Sequence, residues 1–281
     1  MKISPGLTIL ITGATGGLGT FITHALAERG VKLALMAYPG AELEELQAAV
    51  ERKGVKSISF PYDVRNAEQR RLILEATHKQ FGGIDILINN AGIEYTSAYH
   101  DLTEEAICDT VAVNLEGPMI MTRLALPEML RRGRGHIVNM ASLAGKSGPA
   151  YQEPYAATKA GLIAFTSSLR ATYRRQGVSA SVIAPGFVEA GIYAKLKASS
   201  GIAAPALLGT SQPEDVVRAV IRAVERDLPE VIVNSLPVRP LIALTALWPT
   251  AGAWLTDKTG ANEFFRRVVE AQKNRSLSMK K

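Results

Sequence analysis

The sequence predicts an α/β fold: a doubly wound parallel sheet of about seven strands, with helices on both faces and a C-terminal helical extension. Three observations carry it. Short β-branched or aliphatic runs recur along the 281 residues, amphipathic periods lie between them, and the first run leads into a glycine-rich turn that opens a helix. Strand and helix alternating in this way argue for right-handed βαβ units, whose strands lie parallel.

The predicted strands, in order, are LTILIT (7–12), VKLALMA (31–37), VKSISF (55–60), IDILINN (84–90), GHIVNM (135–140), VSASVIA (178–184) and EVIVN (230–234). Most are apolar throughout, as strands covered on both faces must be. Between them, Leu18, Phe21, Ile22, Ala25 and Leu26 step at helical spacing, and Leu43, Leu46 and Val50 repeat it. Residues 192–209 read as a long connection of the length expected of a lid or a disordered loop, with Ile192, Leu196, Ile202, Leu207 and Leu208 either covering an apolar ligand or packing on the sheet edge. No linker, repeat or low-complexity block divides the chain, so residues 1–281 are expected to form one domain, with a core over about 5–235 and an extension over about 236–281.

Composition excludes several classes. The single Cys108 rules out an intrachain disulfide framework, and four scattered histidines suggest no metal site. The net charge of +6 is dispersed and not interleaved with aromatics, so nucleic acid is not an expected partner. No run approaches the roughly 20 apolar residues of a membrane span, and the first residues carry no signal-peptide cleavage pattern. The expected location is cytoplasmic.

TGATGGLG (12–19) follows the first strand directly. Gly13, Gly16, Gly17 and Gly19 let the backbone turn tightly, and the helix that follows offers free N–H groups and a positive dipole end to a pyrophosphate. The placement suits a dinucleotide in a Rossmann-type fold. PYDV (61–64) and NNAG (89–92) put Asp63 and Asn90 past the ends of the third and fourth strands, on the edge where such sheets bind ligands, although a turn or a cap would also use these residues. Farther on, Pro154 is fit to open a helix that carries Tyr155 and Lys159 one turn apart on the same face. Taken alone, that pair is either a solvated helix start or two polar tips sharing one site.

These stretches together resemble the short-chain dehydrogenase/reductase family: the glycine motif at 12–19, Asp63 with Val64, NNAG, a helix Asn114, Ser142, YAATK at 155–159, and Pro185-Gly186, a likeness spanning about residues 5–235. The resemblance implies an NAD(P)(H)-dependent oxidoreductase that interconverts an alcohol and a ketone or aldehyde. It implies catalytic roles for Asn114, Ser142, Tyr155 and Lys159. Tyr155 is the expected general acid or base; Ser142 would hydrogen-bond the reacting oxygen, and Asn114 would hold a water that relays protons from the lysine. A phenol titrates near 10, and a nearby Lys159 ammonium is expected to lower that value while also holding the nicotinamide ribose. The cofactor would lie along Gly13, Thr15, Gly17, Leu18, Gly19, Ala37, Tyr38, Asp63, Val64, Asn90, Ala91 and Gly92, then Tyr155, Lys159, Pro185, Gly186 and Val188. Leu143, Tyr151, Ile192 and Leu196 are the expected substrate contacts, and no metal is expected.

Two departures refine this. At the end of the second strand, where an acid would bind the ribose of NAD, the chain has Ala37 and Tyr38, so NADP(H) is expected to bind at least as well as NAD(H). Past Pro185-Gly186, Ala190 stands where the family usually has a threonine, leaving the carboxamide to backbone near Val188. The ending over 229–255 resembles that of members acting on hydrophobic alcohols and ketones, including steroid and retinoid dehydrogenases, so the expected substrate is a hydrophobic small molecule. Residues 256–281 hold seven basic side chains against three acidic ones, which suits either a membrane-peripheral contact or a solvated helix and tail, and residues 236–281 read as a substrate cap, an oligomer interface or a membrane contact. A homodimer or homotetramer is the expected assembly. A nucleotide-sensing or membrane-surface binding protein without catalysis is the alternative, and the intact Asn114, Ser142, Tyr155 and Lys159 weigh against it.

Overall fold

The computed structural model describes residues 1–278; Lys280 and Lys281, counted above among the basic residues, lie outside them. Six strands come first, β1 (Thr8–Thr12), β2 (Lys32–Ala37), β3 (Ser57–Pro61), β4 (Ile86–Asn89), β5 (Gly135–Met140) and β6 (Val178–Pro185). A two-stranded parallel ribbon follows, β7 (Phe187–Val188) with β8 (Thr210–Ser211), and then β9 (Glu230–Val233). The main sheet has the order β3-β2-β1-β4-β5-β6-β9, parallel throughout, so the winding reverses between β1 and β4. Register decides what this reversal places together. Thr12 pairs with both Met36 and Asn89, Ala37 with Pro61, and Asn89 with Asn139. The segments after β1, β2, β3, β4 and β5 therefore leave the sheet along one carboxyl edge.

Alternate residues of the strands feed two cores. Ile9, Ile11, Leu33, Leu35, Ile86 and Ile88 face α1 (Gly17–Ala27), α2 (Ala41–Glu51) and α9 (Pro213–Glu225), meeting Ile22, Leu26, Leu43, Val216 and Val220. Leu10, Met36, Leu87 and Ile137 face the other way, toward Ile73, Met121, Met129 and Leu169 of α3 (Ala67–Phe81), α5 (Gly117–Arg131) and α7 (Glu153–Tyr173). Each such side chain stabilises the fold by about 1.5–3 kcal/mol relative to exposure. The predicted stripe on α1 is rotated: Thr23 is buried, whereas Phe21 is 40% exposed.

Residues 192–209 are not the long loop expected. Gly191 (φ +59°) and Gly201 (φ +74°) bound a helix, α8 (Gly191–Ser200), whose Tyr193, Leu196 and Ser200 form the buried stripe. The remaining helices are α4 (Glu104–Val111), α6 (Ala144–Ser147), α10 (Arg239–Leu247), α11 (Pro249–Lys258) and α12 (Ala261–Ser278). Phe264 and Phe265 of α12 pack on Tyr193 and Leu196, with the Phe187 ring 5.0 Å from Tyr193 and 5.3 Å from Phe264 between centroids. The far end of the chain thus braces α8, a contact that no local pattern announces.

Candidate active site

At the carboxyl edge the glycine turn is fastened to the end of β4. Gly13 has φ +65°, and a Cβ there would lie 2.7 Å from Ala91 Cα, so only glycine fits. The Asn90 side-chain amide donates to Gly13 O at 2.9 Å, and Thr12 Oγ1 accepts from the backbone N–H groups of Asn90 and Ala91 at 3.1 and 3.2 Å. Thr15, Gly17 and Leu18 line the cleft above this turn together with Asn90, Ala91 and Gly92. Gly19 does not; a Cβ there would sit 2.1 Å from Gly13 O, which makes it the packing glycine that seats α1 against the turn. A Cβ on Gly17 would meet Gly191 N at 2.2 Å, so α8 starts in direct contact with the start of α1.

Ala37 is buried and Tyr38 is exposed at the next corner, and neither carries a charge. Asp63 and Val64 line the same wall. The Asp63 carboxylate is held by Arg65, which reaches it at 2.7 Å and also binds Asp109 at 2.5 Å. Burial would raise the Asp63 pKa, but the hydrogen bonds and charge of Arg65 outweigh it and hold the group below its usual range.

Toward the other end of the cleft lie Ser142, Tyr155 and Lys159. Glu153 and Pro154 open α7, so Tyr155 and Lys159 stand one turn apart near its start, and both are buried. Lys159 Nζ donates to Met140 O at 2.9 Å and lies 5.5 Å from the Tyr155 ring centroid. Its burial, with no acidic partner, lowers its pKa to about 8. The expected lowering of the Tyr155 pKa by Lys159 is not found. Burial pushes the phenol well above its ordinary value and the charge of Glu94 adds to that, while the Ser142 hydroxyl opposes both. Ser142 Oγ accepts from Ala144 N at 3.1 Å and reaches Pro185 O at 3.4 Å, which fixes it over the end of β6.

Asn114 is fully buried in a π-helical turn, Ala112–Glu116, between α4 and α5. Such turns are frequent at functional sites. Its Oδ1 accepts from Ile93 N at 2.8 Å and its Nδ2 donates to Ile93 O at 2.8 Å, clamping the segment that leaves NNAG. A Cβ on Gly92 would lie 3.4 Å from both Asn114 Oδ1 and Lys159 Nζ, so these two atoms converge on the same point.

The cleft has a volume of about 570 Å³, within the range of small-molecule sites. Its outer half is apolar: Leu143, Ile192 and Leu196 line it with Pro185, Gly186 and Val188. Tyr151 does not; its backbone has φ +65°, and its side chain packs on the Phe264–Phe265 cluster instead. Residues that sequence reasoning missed include Glu94 and Gln152. The Glu94 carboxylate accepts hydrogen bonds from Thr96 and Gln152 in the cleft wall beside Tyr155, and burial raises its pKa. Its position two residues past NNAG was the only sequence signal available. Leu241, Ile242 and Thr245 of α10 and Thr256 of α11 close the outer half, so the extension roofs the cleft.

The residues present fit a nicotinamide dinucleotide. The glycine turn, with Gly13, Gly17 and Gly92, lines one end of the cleft, and the phenol, hydroxyl and ammonium converge at the other. A family model described as short chain dehydrogenase matches residues 7–201. The ketoacyl reductase HetN of Nostoc sp. strain PCC 7120 is 38% identical over 256 residues, covering 89% of this chain and 88% of that protein. The 3-oxoacyl-[acyl-carrier-protein] reductase FabG of Staphylococcus aureus strain N315 is 36% identical over 182 residues, covering 64% of this chain and 73% of the relative. Among solved structures, a variant of actinorhodin polyketide ketoreductase with NADPH aligns with a TM-score of 0.76 and 28% identity, over 82% of this chain and 97% of that one. The expected likeness of the ending to steroid and retinoid dehydrogenases is not among these findings.

Proposed function

The chain belongs to the short-chain dehydrogenase/reductase family and is an oxidoreductase, and we propose that it reduces the ketone of an apolar, uncharged substrate with NADPH, Tyr155 acting as general acid. The observation that carries this reading is the convergence of Ser142, Tyr155 and Lys159 in one cleft, between a glycine turn and an apolar outer half. When bound, the nicotinamide supplies the hydride. Every other role belongs to the chain. The Ser142 hydroxyl is fixed by Ala144 N and Pro185 O, where it can orient and polarise the carbonyl oxygen. Tyr155 holds its proton firmly at neutral pH because burial and Glu94 disfavour the phenolate, which suits a group that must donate to a developing alkoxide. Lys159, beside the ring face, stabilises the phenolate left behind, and Asn114 holds the Ile93 backbone in place. The alternative of a binding protein without catalysis is not favoured, since Asn114, Ser142, Tyr155 and Lys159 are all present.

Cofactor choice follows from the corner at Ala37 and Tyr38, where no carboxylate repels a 2′-phosphate. The relative solved with NADPH points the same way. We read residues 1–281 as one domain, core to about 235, that assembles as a homodimer or homotetramer. The test is nicotinamide absorbance with a panel of ketoacyl thioesters and neutral apolar ketones. Turnover with NADPH at least matching that with NADH is expected, and absence of turnover on every ketone would overturn the reading. Ala37→Asp should swing selectivity toward NADH, because the new acid accepts ribose hydroxyls and repels phosphate. Unchanged selectivity, measured by fluorescence titration with both reduced cofactors, would show that the corner lies elsewhere.

A further inference from the structure

From Pro240 to Thr256 the chain has no charged side chain. These residues form α10, Trp248 and most of α11, a helical hairpin crossing tightly at Gly252, where a Cβ would lie 2.3 Å from Thr245 Cα. One side of the hairpin roofs the cleft through Leu241, Ile242, Thr245 and Thr256. The other side faces outward with large apolar groups: Leu247 is 68% exposed, Trp248 62% and Trp254 63%. An aqueous surface rarely concentrates such groups without interspersed charge. Cations flank the uncharged stretch, Arg239 at the start of α10 and Lys258 at the end of α11, both away from the Trp248 turn, with Lys258 Nζ 5.8 Å from the Trp254 ring centroid. The nearest acid, Asp257, already accepts a hydrogen bond from Asn262.

We propose that the outer face of the α10–α11 hairpin docks on an anionic phospholipid surface, laying Leu247, Trp248 and Trp254 into the interfacial layer with Arg239 and Lys258 at headgroup level. Tryptophan favours that layer because its ring is apolar and its N–H polar, and flanking cations bind anionic headgroups. A second copy of the chain fits the charges less well: a two-fold pairing repeats the same patch on both subunits, and the stretch Pro240–Thr256 offers no acid to pair with Arg239 or Lys258. No helix among the described residues is long and apolar enough to cross a membrane, so the contact is with one face of the bilayer. Docking on this face would set the roof of the cleft against lipid, where an apolar ketone would be concentrated. Only that last consequence rests on the proposed reaction; the docking does not.

The two tryptophans of the chain are both in this hairpin, so intrinsic fluorescence of the full-length protein reports on it alone. With phosphatidylcholine vesicles containing phosphatidylglycerol, the emission should shift to the blue and be quenched by lipids brominated in the acyl chains. Co-sedimentation should be at least about tenfold stronger than with phosphatidylcholine alone and should weaken with salt, while Arg239→Ser and Lys258→Ser should each weaken it about fivefold. Trp248→Ser with Trp254→Ser should abolish sedimentation while turnover of a water-soluble ketone persists; the two charge variants keep the test intact should that double variant fail to fold. Unchanged emission and no sedimentation with anionic vesicles would overturn the docking. So would a blue shift that grows with protein concentration in the absence of lipid, together with a doubled mass in solution, which would assign the face to a second copy.

Discussion

Lys159 gives the sharpest quantitative expectation, because its environment stabilises the wrong charge state for folding. Lys159 is 3% exposed, its ammonium donates one hydrogen bond to Met140 O, and it has no acidic partner among the described residues. The drop from 10.5 to about 8 corresponds to roughly 3 kcal/mol at 1.36 kcal/mol per pH unit. The sign follows from proton binding. With the folded value depressed, the unfolded chain holds more protons between about pH 8 and 10.5, so stability rises with pH through that window and the whole cost is present below it. Lys159→Met keeps the volume and removes the charge, but it leaves the Met140 carbonyl without its donor, a loss of about 1–3 kcal/mol. The free protein carrying Lys159→Met should therefore be more stable than wild type at pH 7 by about 1–2 kcal/mol, or roughly 2–8 °C in melting temperature. At pH 10 the advantage should vanish or reverse, while turnover is lost at both. Urea unfolding at the two pH values measures both quantities. A variant less stable at pH 7, or an advantage independent of pH, would refute the view that Lys159 is a buried, uncompensated cation.

Three further outcomes are expected. Tyr155→Phe should retain cofactor affinity by fluorescence titration and lose about 100-fold or more in kcat, as removal of a general acid does; retention of a tenth of wild-type kcat would sink the role. Gly17→Ala drives a Cβ to 2.2 Å from Gly191 N and 2.4 Å from its Cα, so α1 and α8 must part, costing about 1–3 kcal/mol by overpacking. The melt should fall and the cofactor Kd rise together, and a variant with both unchanged would mean that the α1–α8 contact is not close in solution. Glu94→Gln removes the charge that helps hold Tyr155 protonated. The pH at which alcohol oxidation becomes fast should move down, and a pH profile identical to wild type would separate Glu94 from Tyr155.

Much of this was legible in the sequence, and the reason differs by element. The strands β1 to β6 and β9 each lie within a residue or two of their predicted bounds, and β1, β2 and β4 are the clearest because a strand buried on both faces has few compositional choices. Gly13 and Gly17 were legible because close approach of backbone admits no Cβ. Tyr155 and Lys159 were placed together by helical period alone. Helix α8 was not legible: its stripe of Tyr193, Leu196 and Ser200 is short, bounded by glycines, and stable only against Phe264 and Phe265, some 70 residues away. The displacement of Tyr151 into that same cluster, and the π-helical turn that aims Asn114 inward, are likewise settled by packing rather than propensity.

Electrostatics divided along the same line. The sequence could place an ammonium near a phenol and so expect a lowered Tyr155 pKa, since the attraction of opposite charges depends on spacing that a helix fixes. It could not supply the desolvation of both groups, nor bring Glu94 to the wall beside Tyr155 from the segment after β4, and together these raise the phenol and lower the ammonium. Local periodicity and glycine determined which groups exist and which share a face. Burial, which is a property of everything folded around them, decided how tightly each holds its proton.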